Sequence, residues 1–187
     1  ATKLSSRLMT QDKEYEGVLR LGVETFTEDR DGEVTATHDV SGVTPEAVRA
    51  VAERFTGDIM QVPPMVSALK VGGRRLYELA REGVTVERDA RPVTIHELEV
   101  LDFSPCDYPE VQFRVRCGSG TYVRTLADDL AAALGGRAHL TELRRLAIGS
   151  LSVDDAVDLE DLARLAEAGG APVLDPANAL ADLPAAT

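Results

Sequence analysis

The stretch CGSGTYVRTLADDL, residues 117–130, joins two periodicities that cannot belong to one element. Upstream, VQFRVRC alternates strictly, with Val111, Phe113, Val115 and Cys117 on one face and Gln112, Arg114 and Arg116 on the other. Alternation of this kind is the mark of a half-buried strand. Downstream, Val123, Leu126, Leu130 and Leu134 recur at helical spacing and form one apolar stripe. Gly-Ser-Gly breaks the chain between them. Tyr122 and Arg124 then stand where the strand hands over to the helix, two residues apart. A tyrosine and an arginine in that position can both face a cleft.

Working outward, RPVTIHELEVLDF (91–103) reads as a second strand whose alternation slips at His96-Glu97. A slip of one residue means a bulge or a strand buried on both faces. His96 has no partner nearby in sequence and reads as structural. YEGVLRLG (15–22) is a strand with Tyr15, Leu19 and Leu21 on one face, and EDRDGEV (28–34) is a turn centred on Asp31-Gly32. TPEAVRAVAERF (44–55) is a helix: Thr44 suits the cap, Pro45 the first position, and Val48, Val51, Ala52 and Phe55 form its apolar stripe. QVPPMVSALKVGGRR (61–75) is irregular, with paired prolines and paired glycines, before a short helix near RLYELARE. GGRAHLTELRRLAIG (135–149) reads as a Gly-rich break followed by a short amphipathic helix. DLEDLARLAEAGG (158–170) reads as a helix capped by Asp158 and ended by Gly169. Strands and helices alternate irregularly, so the fold class is mixed α/β.

The 187 residues are enough for one substantial core. No run approaches the roughly 20 apolar residues of a membrane span, and the N-terminus lacks the apolar core of a secretion signal. The chain does not open on Met, as a trimmed or internal start would not. Cys106 and Cys117 are too few for a disulfide framework or a metal site. They would face each other only across a tight turn between strands, and otherwise read as reduced thiols of a cytosolic protein. The net charge of −12 argues weakly against nucleic acid. Its distribution softens that argument. ALKVGGRRLYELAR (68–81) carries Lys70, Arg74, Arg75 and Arg81 against Glu78 alone, whereas residues 151–187 hold eight acidic residues against Arg164. Local charge decides where a polyanion docks, although a solvated basic face gives the same pattern. No phosphate-cradling glycine loop, zinc-ligand spacing or nucleophile elbow occurs. What remains is cofactor-independent chemistry, or none.

Five segments, in order, resemble the TruB family of tRNA pseudouridine synthases, whose relatives include dyskerin. They are DKEYEGVLRLGVETFTEDRDGEV (12–34), FTGDIMQVPPMVSALKVGGRRLYELAREG (55–83), ARPVTIHELEV (90–100), CGSGTYVRTLADDLAAALGGRAHLTELRRLAIG (117–149) and LEDLA (159–163). The resemblance implies a pseudouridine synthase fold, a largely antiparallel mixed sheet flanked by helices. Residues 1–150 would be the larger part of the catalytic core, 57–83 its RNA-binding insertion, and 151–187 a helix and acidic tail, with no PUA domain. It also implies an activity: a T-loop uridine of tRNA is flipped out of the RNA and isomerised to pseudouridine, with no cofactor and no metal. Flipping costs a few kcal/mol of unstacking, which the pocket must return by stacking and hydrogen bonds.

By the same resemblance Tyr15 matches the family's active-site tyrosine. Tyr122, in the GTYxRT motif, lies beside the target base, and Arg124 pairs with the catalytic aspartate. Leu143 matches an apolar residue of the pocket wall, and Asp29 an acidic position of less defined role, where a turn-forming role is equally open. Lys70, Arg74, Arg75 and Arg81 match the segment that closes over the tRNA stem-loop. The family's aspartate sits in a G-T-L-D-P segment that does not occur here; the Asp175-Pro176 pair lacks the flanking residues. The expectation is therefore a cytoplasmic, monomeric tRNA isomerase core whose aspartate comes from a preceding segment or a companion fragment. Arg124 alone would then meet only water or RNA phosphate. The alternative is a catalytically inactive RNA-binding or RNA-folding module.

Overall fold

The structure, a computed structural model, describes residues 2–170. In chain order the elements are α1 (Thr2–Met9), β1 (Lys13–Leu21), β2 (Val23–Thr25), β3 (Val34–Thr37), α2 (Pro45–Arg54), β4 (Gly57–Gln61), β5 (Lys70–Val71) and β6 (Arg74–Arg75). They continue with α3 (Leu76–Arg81), β7 (Arg91–Ser104), β8 (Glu110–Cys117), α4 (Val123–Ala133), β9 (Ala138–Ile148), β10 (Leu151–Ser152) and α5 (Leu159–Glu167). The main sheet has six strands in the order β10-β9-β1-β8-β7-β4, and every pairing in it is antiparallel. The mixed class and antiparallel sheet expected from the sequence are what the chain adopts.

One face of this sheet is dry and the other is wet, as antiparallel sheets allow. The inward residues Leu19, Leu21, Ile95, Val111, Phe113, Val115 and Cys117 meet Val48, Val51 and Ala52 of α2 and Val123, Leu126, Ala127 and Leu130 of α4 in one core. The outward residues pair across strands. Glu16 accepts from Gln112 Nε2 at 2.9 Å and from Arg114 at 3.0 Å, and Arg20 meets Glu110 at 2.6 Å. These are the solvated cross-strand pairs that fix register at little energetic gain.

Capping follows the local chemistry. Thr44 Oγ1 accepts from Ala47 N at 3.2 Å and Pro45 fills the first position of α2. Asp158 accepts from Asp161 N at 2.8 Å to start α5. The slip at His96 is a bulge: Ile95 pairs with Cys117 but Glu97 with Arg116. His96 itself ends 3.0 Å from Asp12. Cys106 is exposed in the β7–β8 connection and Cys117 is buried at the far end of β8, so the two thiols are free and do not face each other across a turn.

The segment 135–149 departs from expectation. It contains no helix; it is the strand β9, paired with β1 along almost its whole length. Leu140 pairs with Leu19 and Leu143 with Gly17, so three residues on β9 match two on β1. A bulge thus brings residues at i and i+3 to the same face, which imitates a helical stripe. Leu, Glu, Arg and Ala are good helix formers, but burying Ala138 and Leu140 against the core outweighs that weak preference.

The connection between β4 and β7 carries its own small core of Met65, Leu76, Leu79 and Ala80, with Val66, Leu69 and Val86 against it. Within it Lys70 pairs with Arg75 and Val71 with Arg74, so KVGGRR is a two-residue hairpin. Gly72 and Gly73 have φ of 59° and 85°, the doubly left-handed turn that only residues like glycine adopt cheaply.

Candidate active site

Arg124 is the second residue of α4, in its first turn, with Tyr122 at the cap and Val123 between them. Its guanidinium is held from two sides. Nη1 donates to Asp29 Oδ2 at 2.7 Å and to Thr27 O at 2.9 Å, and Nη2 donates to Val66 O at 3.0 Å. The expectation that Arg124 would find only water or phosphate is therefore corrected. Its carboxylate partner among the described residues is Asp29, with side-chain exposures of 25% and 29%. Asp29 is itself fixed, because Thr27 Oγ1 donates to its Oδ1 at 2.5 Å and Asp31 N to the same oxygen at 3.3 Å. An Asx-type turn of this kind is what the sequence around Asp31-Gly32 favours.

The loop carrying Asp29 is latched a second time. Thr125 Oγ1 donates to Glu28 Oε2 at 2.7 Å, and Leu140 N donates to Glu28 O at 3.0 Å. Glu28 has φ of 62°, the only positive value on a non-glycine residue among the described residues. Such a conformation costs on the order of 1 kcal/mol and persists only when its surroundings impose it. Adjacent loop residues, Glu28 and Asp29, thus grip adjacent helix residues, Thr125 and Arg124. Burial pushes the Glu28 carboxyl up, assisted by Asp128 and opposed by the Thr125 hydrogen bond.

Tyr122 is anchored through its backbone. Its N–H donates to Gln61 Oε1 at 2.8 Å and its carbonyl accepts from Gln61 Nε2 at 3.1 Å. Gln61, Glu28 and Thr125 belong to the site although no motif in the sequence marks them. Their only local signal is a polar residue inside a segment that the fold buries.

Tyr15 lies on β1, half-buried against the main core. Burial pushes its phenol up, while a hydrogen bond from Arg145 pulls the other way. Arg145 is its cross-strand partner on β9. Leu143, two residues before Arg145 on β9, lies opposite Gly17 and is 45% exposed. Tyr15, Leu143 and Arg145 therefore form one patch on neighbouring strands. A β-carbon at Gly17 would lie 3.2 Å from Leu143 Cδ1 and 2.8 Å from Glu142 O, so glycine is what lets Leu143 lie over that point.

The four basic residues do not form a single cluster. Arg74 is paired with Glu82 at 2.6 Å. Arg75 and Arg81 both flank the Tyr77 ring, at 5.8 Å and 5.5 Å from its centre, and Lys70 is the cross-strand neighbour of Arg75. Lys70, Arg75 and Arg81 keep their charge available at the surface, whereas Glu82 neutralises Arg74.

A polar cavity of about 310 Å³ lies beside the Glu28 latch, lined by Glu24, Thr25, Glu28, Asp128, Arg88 and Arg137 among others. A second of about 310 Å³ is lined by Leu143, Glu16, Gln112 and Arg144. Neither is lined by Tyr122 or Arg124. Among the described residues no group of three or more His, Cys, Asp or Glu is placed to hold a metal ion, and no helix is long and apolar enough to cross a membrane.

Residues 1–123 match the family model described as TruB family pseudouridylate synthase (N terminal domain), and residues 124–179 match that of the tRNA pseudouridylate synthase B C-terminal domain. The chain is 52% identical over 181 residues to tRNA pseudouridine synthase B of Ralstonia nicotianae, covering 96% of this chain and 57% of that protein. It is 54% identical over 162 residues to the protein of that name from Burkholderia mallei, covering 87% and 52%. The chain thus spans about half the length of the curated relatives it matches. Among solved structures, that of a Cbf5-Nop10-Gar1 complex superposes with a TM-score of 0.63 at 28% identity, over 90% of this chain and 41% of that one. An archaeal box H/ACA sRNP Nop10-Cbf5 complex gives 0.59 at 26% identity, over 90% and 40%.

Proposed function

This chain belongs to the TruB family of pseudouridylate synthases, and from that premise we propose that it forms most of the catalytic core of a cytoplasmic, monomeric isomerase that converts a T-loop uridine of tRNA to pseudouridine. The observation that carries this reading is the state of Arg124. Among the described residues, three of the five guanidinium N–H donors are spent, on Asp29, Thr27 and Val66. The remaining two, on Nε and Nη2, suit a second carboxylate bound side-on. In this reading Asp29 is the permanent anchor. The second carboxylate is the family's catalytic aspartate, supplied by the G-T-L-D-P segment that residues 1–187 do not contain.

The reaction asks for little proton chemistry. The glycosidic bond to N1 breaks, the uracil turns, and C5 bonds to the sugar. The C5 hydrogen leaves as a proton and N1 gains one. Tyr15 and Tyr122 are the groups proposed to face the base, one as a stacking surface and the other in proton handling. Leu143 walls the pocket, and Lys70, Arg75 and Arg81 bind phosphates of the T-arm as residues 57–83 close over it.

The test follows from the lost C5 proton. The full-length protein is incubated with tRNA tritiated at uridine C5, and released tritium is counted. The expected result is release from a single T-loop position, abolished by Arg124→Ala. Binding of T-arm RNA without release would instead identify an RNA-binding or RNA-folding module.

A further inference from the structure

Gln61 ends the edge strand β4 and is 2% exposed. On β7 its register partner is Arg91, and the buried Val93, opposite Ile59, is the next residue on that face. A leucine or methionine would bury as well there and would not need a partner, whereas a buried amide is costly unless fully bonded. The amide must therefore be explained by its bonds. Both go to one residue: Oε1 accepts from Tyr122 N at 2.8 Å, and Nε2 donates to Tyr122 O at 3.1 Å. Tyr122 is extended, with φ of −98° and ψ of 104°, and its own side chain makes no capping bond. The primary amide thus replaces a missing rung of a β-ladder. It satisfies the backbone of the cap residue of α4 and sets where the first helical turn begins.

The same segment reaches the site again. Five residues after Gln61, Val66 O accepts from Arg124 Nη2 at 3.0 Å. Pro63 and Pro64, with their fixed φ, lie between the two anchor points and stiffen the span. One short stretch of chain therefore holds the backbone of residue 122 and the side chain of residue 124.

We infer that Gln61 is a positioning residue: its bidentate grip on the Tyr122 backbone sets the placement of Tyr122 and Arg124 for the isomerisation and contributes little to RNA affinity. This rests on the isomerase reading of the site. In oriented reactions a misplacement of about 1 Å costs on the order of 10²-fold in rate.

The experiment uses the full-length protein with Gln61→Met, close in length but lacking the amide, and Gln61→Glu, which keeps the acceptor for Tyr122 N–H. Single-turnover pseudouridine formation, the Kd for T-arm RNA, thermal stability and hydrogen exchange of the Tyr122 amide are measured. For Gln61→Met we expect a rate about 10- to 100-fold lower, a Kd within about twofold of wild type, and faster Tyr122 exchange. Gln61→Glu should recover part of the rate and of the exchange protection. An active wild type with an equally active Gln61→Met overturns the positioning role alone. A rate loss matched by an equal loss of RNA affinity, or unchanged Tyr122 exchange, overturns it as well. A wild type inert toward tRNA overturns the isomerase reading and the positioning role together.

Discussion

Consider Arg124→Lys. The native guanidinium spreads its bonds over two nitrogens: Nη1 serves Asp29 at 2.7 Å and Thr27 O at 2.9 Å, and Nη2 serves Val66 O at 3.0 Å on another segment. A lysine ammonium is a single point. It can take over the Nη1 pair, but it cannot also reach Val66 O. One hydrogen bond to a charged group disappears, typically about 1.5–3 kcal/mol. The site is a quarter open to solvent, so about 1–1.5 kcal/mol is expected after screening. For a chain of this size that is a fall in Tm of about 2–6 °C. The effect on rate should be larger. The two donors proposed for the catalytic carboxylate disappear altogether, and losing an oriented donor in a catalytic site costs about 10²–10³-fold. Thermal melts and single-turnover tritium release measure the two effects separately. A lowered Tm with a near-wild-type rate would refute the reasoning and leave Arg124 as a structural tie between the loop, the insertion and α4.

Changing Lys70, Arg75 and Arg81 together to Gln should weaken RNA binding and lower the log–log salt slope by roughly 0.7–0.9 for each phosphate that is no longer neutralised; Arg74→Gln alone should do less, because Glu82 already neutralises Arg74. Gly17→Ala puts a β-carbon 2.8 Å from Glu142 O and 3.1 Å from Phe113 Cζ, and urea titration should show a loss of about 1–3 kcal/mol. Burial and the neighbouring Asp128 push the Asp129 carboxyl up to about 6, whereas an unfolded aspartate titrates near about 3.9. The folded chain therefore holds that proton more tightly, and the group's contribution to stability falls as pH rises from about 4 to about 6. Asp129→Asn should stabilise the protein at pH 7, by about 1 kcal/mol after screening, and be nearly neutral below about pH 4, as denaturation at the two pH values would show.

Much of this architecture is legible in residues 111–134 and their neighbours, because periodicity and capping are local. Alternation in VQFRVRC shows which face of β8 is buried, the Gly-Ser-Gly break places Tyr122 and Arg124 at the helix start, and Thr44 and Asp158 mark where α2 and α5 begin. Even the bulge at His96 shows as a slip in the pattern. The rest depends on pairings between residues far apart in the chain. Whether 138–148 is helix or strand turns on two bulges against β1, which convert spacing by three into spacing by two. The identity of the carboxylate at Arg124 turns on a loop 95 residues away, and the grip of Gln61 on Tyr122 on a strand 61 residues away. Local sequence constrains backbone dihedrals and the faces of single elements. Which buried polar group finds which partner is decided only when the sheet closes, since an unpaired buried donor or acceptor costs about 1–3 kcal/mol and the tertiary arrangement must satisfy them all together.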